Sequence, residues 1–262
     1  MNERIAVAVR YDGSAYHGWQ YQENVITVQH VLERALSNVA NHPVSVTCAG
    51  RTDAGVHATG QVVHFDTNVY RSERSWTFGA NSNLPSDVSV LWAKKVSNDF
   101  HARFSATART YRYVLLNQDV RPGILRKAVG WHFRHVDADA MHEAAQALLG
   151  EHDFSAFQGS GCQAKHPVRT MHEISVIRKG RMVIFEIKAN AFLLHMVRNL
   201  VGTLIEIGEG LKPVSWMSEV LQSKDRKSAG VTIMPNGLYL VTVDYPETFE
   251  LPHVYKGPFF LG

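Results

Sequence analysis

The chain has 262 residues, 45% hydrophobic and 19% charged, enough for a substantial core in one large domain or two of ordinary size. That balance excludes a disordered chain, and no apolar run approaches the roughly 20 residues that span a bilayer. Lys and Arg exceed Asp and Glu by three (27 against 24), a mild excess that permits a polyanionic partner without predicting one.

Ile5 to Val9 reads as a fully buried strand, because both alternating sets, Ile5, Val7, Val9 and Ala6, Ala8, are apolar. A loop rich in glycine and aromatics follows at 11–20. Thr27 then caps a helix whose apolar residues Val28, Val31, Leu32, Ala35, Leu36 and Val39 fall on one face, with Pro43 marking its end. Strand-like runs recur at 44–49, 61–66 and 88–96, with a short helix near 75–80. The order strand, helix, strand, strand, helix, strand is that of a ferredoxin-like unit.

The second half has a comparable inventory. Thr110 to Leu116 reads as a strand with Tyr111, Tyr113 and Leu115 on one face. Asp137 caps a helix carrying Met141, Ala144, Ala145 and Leu148, closed by Gly150. Strands at 171–178 and 181–188 flank Lys179-Gly180. An apolar helix spans about 191–207, a shorter one about 214–222, and a last strand runs from Leu238 to Asp244. The expected fold is α+β: two ferredoxin- or RRM-like units, residues 1–107 with the chemistry-bearing loop and residues 108–262. They would share a mostly antiparallel central sheet flanked by helices, with the active-site cleft between them. Met1-Asn2-Glu3-Arg4 leads straight into a strand without the h-region of a signal peptide, so a cytoplasmic location is expected.

The densest chemistry lies in 49–61, where Arg51, Asp53 and His57 stand among Gly50, Gly55 and Gly60. Glycines so placed suit a tight turn or a close approach by another group. The residues alone leave Asp53 two roles, a turn former bonding its own backbone or a chemically active carboxylate on a rigid loop. Arg198 lies in a helix apolar nearly all round, where an arginine either snorkels to the edge or is buried against a partner. Tyr111 alternates with Arg109 along its strand, and Tyr113 shares that face as a packing residue. Two cysteines, Cys48 and Cys162, cannot form a Cys₄ zinc site, and Cys48 reads as a small buried hydrophobe. His57, His64, His101 and His195 show no recognised zinc spacing, so no metal is expected.

Gly-Arg-Thr-Asp-Ala-Gly-Val-His-Ala at 50–58 resembles the signature loop of the tRNA pseudouridine synthase A family, the pseudouridine(38–40) synthases. The resemblance extends in order to Tyr11-Asp12-Gly13 with Gly18-Trp19-Gln20, to Phe100–Ala106 and Arg109–Tyr113, to Phe192–Asn199, and to Gly237–Leu240. It implies an isomerase that converts uridine to pseudouridine without a cofactor, the reaction having no redox change. It further implies Asp53 as nucleophile, Arg198 as the cation that keeps a nucleophilic carboxylate ionised, and Tyr111 in the active site. Leu238 would lie under the base, and Arg51 would contact a phosphate or help extrude the target nucleotide. Arg103 and Arg109 are further candidate RNA contacts, with Arg10, Arg112, Arg121, Arg126, Lys127, Lys165 and Arg169. The implied substrate is the tRNA anticodon stem-loop and the implied assembly a homodimer. A non-catalytic RNA-binding protein on the same fold, or a His-rich metal hydrolase, are the competing classes. Tyr21 departs from the family, which commonly has a basic residue after Gly-Trp-Gln. The loop at 160–167 has no assigned mechanism, and the tail from Pro246 is expected to pack back on the body or serve an interface.

Overall fold

A computed structural model of the chain describes residues 3–254 and 257–261. The chain divides into two compact units, one holding residues up to Thr107 and again from Tyr239 onward, the other Ala108–Leu238.

In the first unit, β1 (Glu3–Tyr11) lies between β3 (His57–Thr67) and β4 (Val88–Val96), antiparallel to both. β2 (Thr47–Cys48) pairs with β3, giving the order β4-β1-β3-β2 of a split βαβ unit. Both faces of β1 are covered, which explains its apolar residues on both sides. Ile5 and Val7 face the partners Phe65 and Val63, and Phe65 meets Trp76 of α2 (Glu73–Asn83) edge-on at 5.0 Å. On the opposite face Ala6 and Val62 join Ala49, Phe100 and Ala102 in a buried cluster. Each large side chain so buried stabilises the fold by about 1.5–3 kcal/mol.

α1 (Val28–Ala40) starts where the sequence predicts, with Thr27 extended and its hydroxyl accepting the His30 N–H at 3.4 Å. It stops at Asn41, in the left-handed region at φ 59°. The strand expected at 44–49 shrinks to Thr47–Cys48 because α1 takes its amides: Val44 N–H donates to Ser37 Oγ and Val46 N–H to Glu33 Oε1, both at 2.9 Å. β10 (Leu238–Asp244) runs parallel to β3, with Tyr239 opposite His57. The chain from Tyr239 belongs to the first compact unit, whereas the sequence groups it with residues 108–262. The tail follows it: Phe249 packs edge-on against Phe100 at 5.1 Å, and Tyr245 donates to the Ala102 carbonyl at 2.6 Å. The part of the tail at 255–256 and 262 lies outside the described residues.

In the second unit, β5 (Ala108–Asn117), β9 (Met182–Ala189) and β8 (Val168–Lys179) are successive antiparallel neighbours, repeating the arrangement of β1, β3 and β2. β7 (Gly150–Asp153) extends this sheet beyond β8, and β6 (Gly130–His132) lies parallel to β5. Each unit therefore combines a mostly antiparallel sheet with flanking helices, the α+β class the element order predicts. Asp137 caps α3 (Ala138–Ala145) by accepting from Asp139 and Ala140 N–H. The helix expected from 191 begins later, as α4 (Met196–Gly208). His195 turns left-handed at φ 59°, and Phe192 is drawn away to stand edge-on to Tyr111 at 4.9 Å. α5 (Trp216–Ser223) follows.

The segment after α5 crosses α4 at close range. Gly230 N–H donates to Thr203 Oγ1 (3.0 Å), and Thr232 and Arg226 both donate to Asn199 Oδ1. A methyl on Gly202 would stand 1.9 Å from the Val231 carbonyl oxygen. In an open helix Gly→Ala stabilises by about 1 kcal/mol. Here Gly202→Ala should instead destabilise by about 1–3 kcal/mol in urea unfolding. A stabilised variant would show that the crossing segment yields at no cost.

Candidate active site

Asp53 sits half-buried in a loop that the first unit braces from two sides. The turn after it is closed by its own backbone, Asp53 C=O accepting from Val56 N–H at 3.1 Å, with Gly55 in the left-handed region at φ 78°. The N-terminal loop at 11–20 is laid against it. Trp19 N–H donates to Thr52 C=O (2.9 Å), and the Tyr11 and Thr52 hydroxyls share a buried hydrogen bond of 2.8 Å. Gly18 is the point of closest approach. Its φ is 86°, and a Cβ there would lie 2.8 Å from the Thr52 carbonyl oxygen and 3.2 Å from the Asp53 carbonyl carbon. Only glycine satisfies both the backbone sign and the contact.

The far end of the loop is tied through His57, buried and stacked on Tyr239 at 4.7 Å. Its Nδ1 stands 3.1 Å from both Gly13 N–H and Asp12 Oδ1. One ring nitrogen serves one of these at a time, accepting from Gly13 when unprotonated and donating to Asp12 when protonated, so either state ties residues 12–13 to the loop. That hydrogen bond to His57 holds the Asp12 carboxyl well below the usual carboxylate range. At the start of the loop Gln61 donates to Gly50 C=O at 2.6 Å.

Arg51 and Arg103 are both exposed, and the positive charge of each lowers the Cys48 thiol, which burial nonetheless pushes up to about 11. Cys48 is half-buried, less enclosed than the buried hydrophobe its sequence context suggests. Arg103 belongs to a loop organised by His101, whose Nδ1 accepts from both Arg103 and Phe104 N–H. Tyr21, in place of the family's basic residue, stacks on His30 at 5.8 Å.

In the second unit Tyr111 and Arg109 are buried on β5. Arg109 donates to Asn190 C=O at 2.9 Å, so one of its nitrogens supports the end of β9. Arg198 does not run out to solvent: it is half-buried on α4, and its Nε donates to Ile233 C=O at 2.8 Å. The same segment carries Leu238, whose N–H donates to Pro235 C=O. Tyr113, read from sequence as packing alone, donates to Met234 C=O at 3.2 Å. Burial raises its phenol against the opposing charge of Arg198. The second unit thus brings Arg198, Tyr113 and Leu238 onto one short segment, 233–238, which has no periodicity by which a sequence could announce it. The 160–167 loop also gains a place, with Cys162 Sγ accepting from Leu194 N–H just before α4.

The family profile described as tRNA pseudouridine synthase matches residues 7–105 and 144–246. A Coxiella burnetii (strain Dugway 5J108-111) protein named tRNA pseudouridine synthase A is 63% identical over 258 residues, 98% of this chain and 99% of the relative. A Shewanella amazonensis protein of the same name is 58% identical with the same coverage. Among solved structures, a chain of the archaeal box H/ACA sRNP Nop10-Cbf5 complex is similar at 12% identity and a TM-score of 0.35, over 77% of this chain and 44% of that one. The chain belongs to the tRNA pseudouridine synthase A family and is an isomerase of that class.

His64 lies behind this loop, its Nδ1 accepting from Ala102 N–H at 3.1 Å. Burial holds its pKa down to about 4, from an ordinary 6.5, and Arg4 adds to the effect. Between those values the unfolded chain takes up a proton that the folded chain refuses. Stability is therefore full above pH 6.5 and falls as pH drops toward 4, with His101, also lowered by burial, acting in the same sense. His64→Asn keeps an acceptor without a titrating ring, so its urea midpoint should fall less steeply across this window. A slope equal to wild type would place the sensitivity elsewhere.

Proposed function

We propose that this protein isomerises uridine to pseudouridine at positions 38–40 of the tRNA anticodon stem-loop, with Asp53 as nucleophile. The observation that carries the reading is the bracing of the 50–57 loop. Its turn is closed by the backbone and its flanks by Trp19, Tyr11 and His57, so the backbone that carries the half-buried Asp53 is fixed. Positioning of this kind is what covalent catalysis asks of a weak nucleophile. In the reaction the N1–C1′ bond breaks, the uracil turns, and a C5–C1′ bond forms. The hydrogen on C5 leaves as a proton and N1 gains one, so no electrons enter or leave.

The reading draws on both units. Asp53 carries the covalent step and Arg198 keeps its carboxylate ionised, while Tyr111 and Leu238 contact the uracil. Arg51 and Arg103, both exposed, meet the RNA backbone near the extruded nucleotide. A homodimer working in the cytoplasm, with one tRNA touching both subunits, completes the proposal, and its support is the family resemblance.

Tritium release from tRNA carrying [5-³H]uridine tests it. Wild type should release tritium, and Asp53→Asn should release none while binding RNA as wild type does. Arg198→Met should lower turnover by about 10²-fold or more, the scale of losing one preorganised electrostatic partner. Loss of binding along with activity in Asp53→Asn would make Asp53 structural. RNA binding by a wild type that releases no tritium would identify a non-catalytic RNA-binding protein.

A further inference from the structure

The second unit holds a cavity of about 610 Å³ that the reaction above does not use, with Arg121, Arg126, Val129, Trp131, Met234 and Asn236 in its lining. Trp131 is 42% exposed, yet its ring is fixed: the indole N–H donates to Gln118 C=O at 2.9 Å, and Phe133 stands 6.2 Å away. Such an indole presents an open aromatic face that the fold does not cover. Arg121 and Arg126 are both exposed, and among the described residues no carboxylate pairs with either. No acidic side chain lines the cavity. An open aromatic face beside two unneutralised guanidinium groups matches a base joined to a phosphate. The volume falls within the range of about 300–1,000 Å³ typical of small-ligand sites.

The cavity is also wired to the residues of the proposed reaction. Met234 and Asn236 form part of its wall, and both belong to segment 233–238. Arg198 holds that segment at Ile233 (2.8 Å), Tyr113 holds it at Met234 (3.2 Å), and Leu238 ends it. Asn236 in turn donates to the Arg126 carbonyl at 3.4 Å, joining the segment to the opposite wall. A group bound here would rest on the backbone that positions Arg198 and Leu238.

We propose that this cavity holds one nucleotide of the substrate RNA other than the target uridine, its base against Trp131 and its phosphate against Arg121 and Arg126. The proposal rests on the tRNA reading above. The nucleotide would act in positioning, fixing the RNA register so that the target reaches Leu238. Stacking accepts any base, so the site would contribute affinity and register more than sequence choice.

The test compares wild type, Trp131→Phe, Trp131→Ala and the double variant Arg121→Gln/Arg126→Gln. Steady-state tritium release from tRNA is one readout. Quenching of tryptophan fluorescence by an anticodon stem-loop RNA, and separately by UMP, is the other. Trp131→Ala should raise KM about tenfold with little change in kcat, the scale of one lost stacking contact, and Trp131→Phe should restore most of it. The arginine variant should show a shallower dependence of RNA affinity on salt, by up to about two phosphate contacts. The share of the RNA quenching that comes from Trp131 should be lost in Trp131→Phe, which keeps the other four tryptophans. Wild-type KM and salt dependence in every variant would overturn the assignment while leaving the isomerase reading intact. Quenching by UMP that RNA does not displace would also overturn it, as a site for free nucleotide. A wild type that releases no tritium, but whose Trp131 is quenched by RNA, would overturn the isomerase reading and leave the cavity assignment standing.

Discussion

The hydrogen bond from Trp19 N–H to the Thr52 carbonyl is the seam at which the first unit's two loops meet. It joins two loop segments, and further contacts gather where their backbones meet. Gly18 can sit against Thr52 and Asp53 because it has no side chain, and Tyr11 can share its hydroxyl with Thr52 because β1 ends beside the loop. Trp19, 1% exposed, then fills the space behind. Its neighbours fix the start of α1 as well, Val28 and Gln29 donating to the Gly18 and Trp19 carbonyls. A loop anchored this way has few ways to move, so its carboxylate is held by the fold before any substrate arrives.

The second unit solves a related problem with different means. Arg198 on a mostly apolar helix would be costly to bury alone. The structure meets part of its hydrogen-bonding need with a backbone carbonyl, Ile233, from a segment pressed onto α4 where Gly202 leaves room. The same pressing sets the path of 233–238 and so the position of Leu238. The close crossing that packs against the helix thus also orders the segment that bears Leu238.

Much of this was legible in the sequence where a single physical rule governs. The 3.6-residue spacing of Val28, Leu32, Ala35 and Leu36 and the cap at Thr27 gave the start of α1, although the helix stops at Ala40, short of Pro43. Apolar residues at every position of 5–9 announced a strand covered on both faces. The loop at 50–58 stood out because glycines and reactive groups were concentrated between two apolar runs. Legibility failed where a distant contact overrode a local pattern. Glu33 and Ser37 of α1 claim the amides of Val44 and Val46, which a β-prone sequence had offered to the sheet. The apolar run from 191 hides a loop because Phe192 and Leu193 are as buried-prone as helix residues. β10 looks the same in sequence whichever unit it joins, so its place with β3 had no local signal. Tyr113 and segment 233–238 were invisible because their role lies in backbone carbonyls, which carry no sequence signature.

The central claim is that the seam between the 11–20 and 50–57 loops positions Asp53 for reaction. Tyr11→Phe tests it most directly, since it deletes one hydroxyl from the seam and changes no backbone. Single-turnover tritium release should slow by about tenfold, the factor that ~1–1.5 kcal/mol of lost hydrogen bonding represents, with RNA affinity unchanged. A variant that reacts at the wild-type rate would contradict the account, because the seam would then position Asp53 without the Tyr11–Thr52 hydroxyl bond that is part of it.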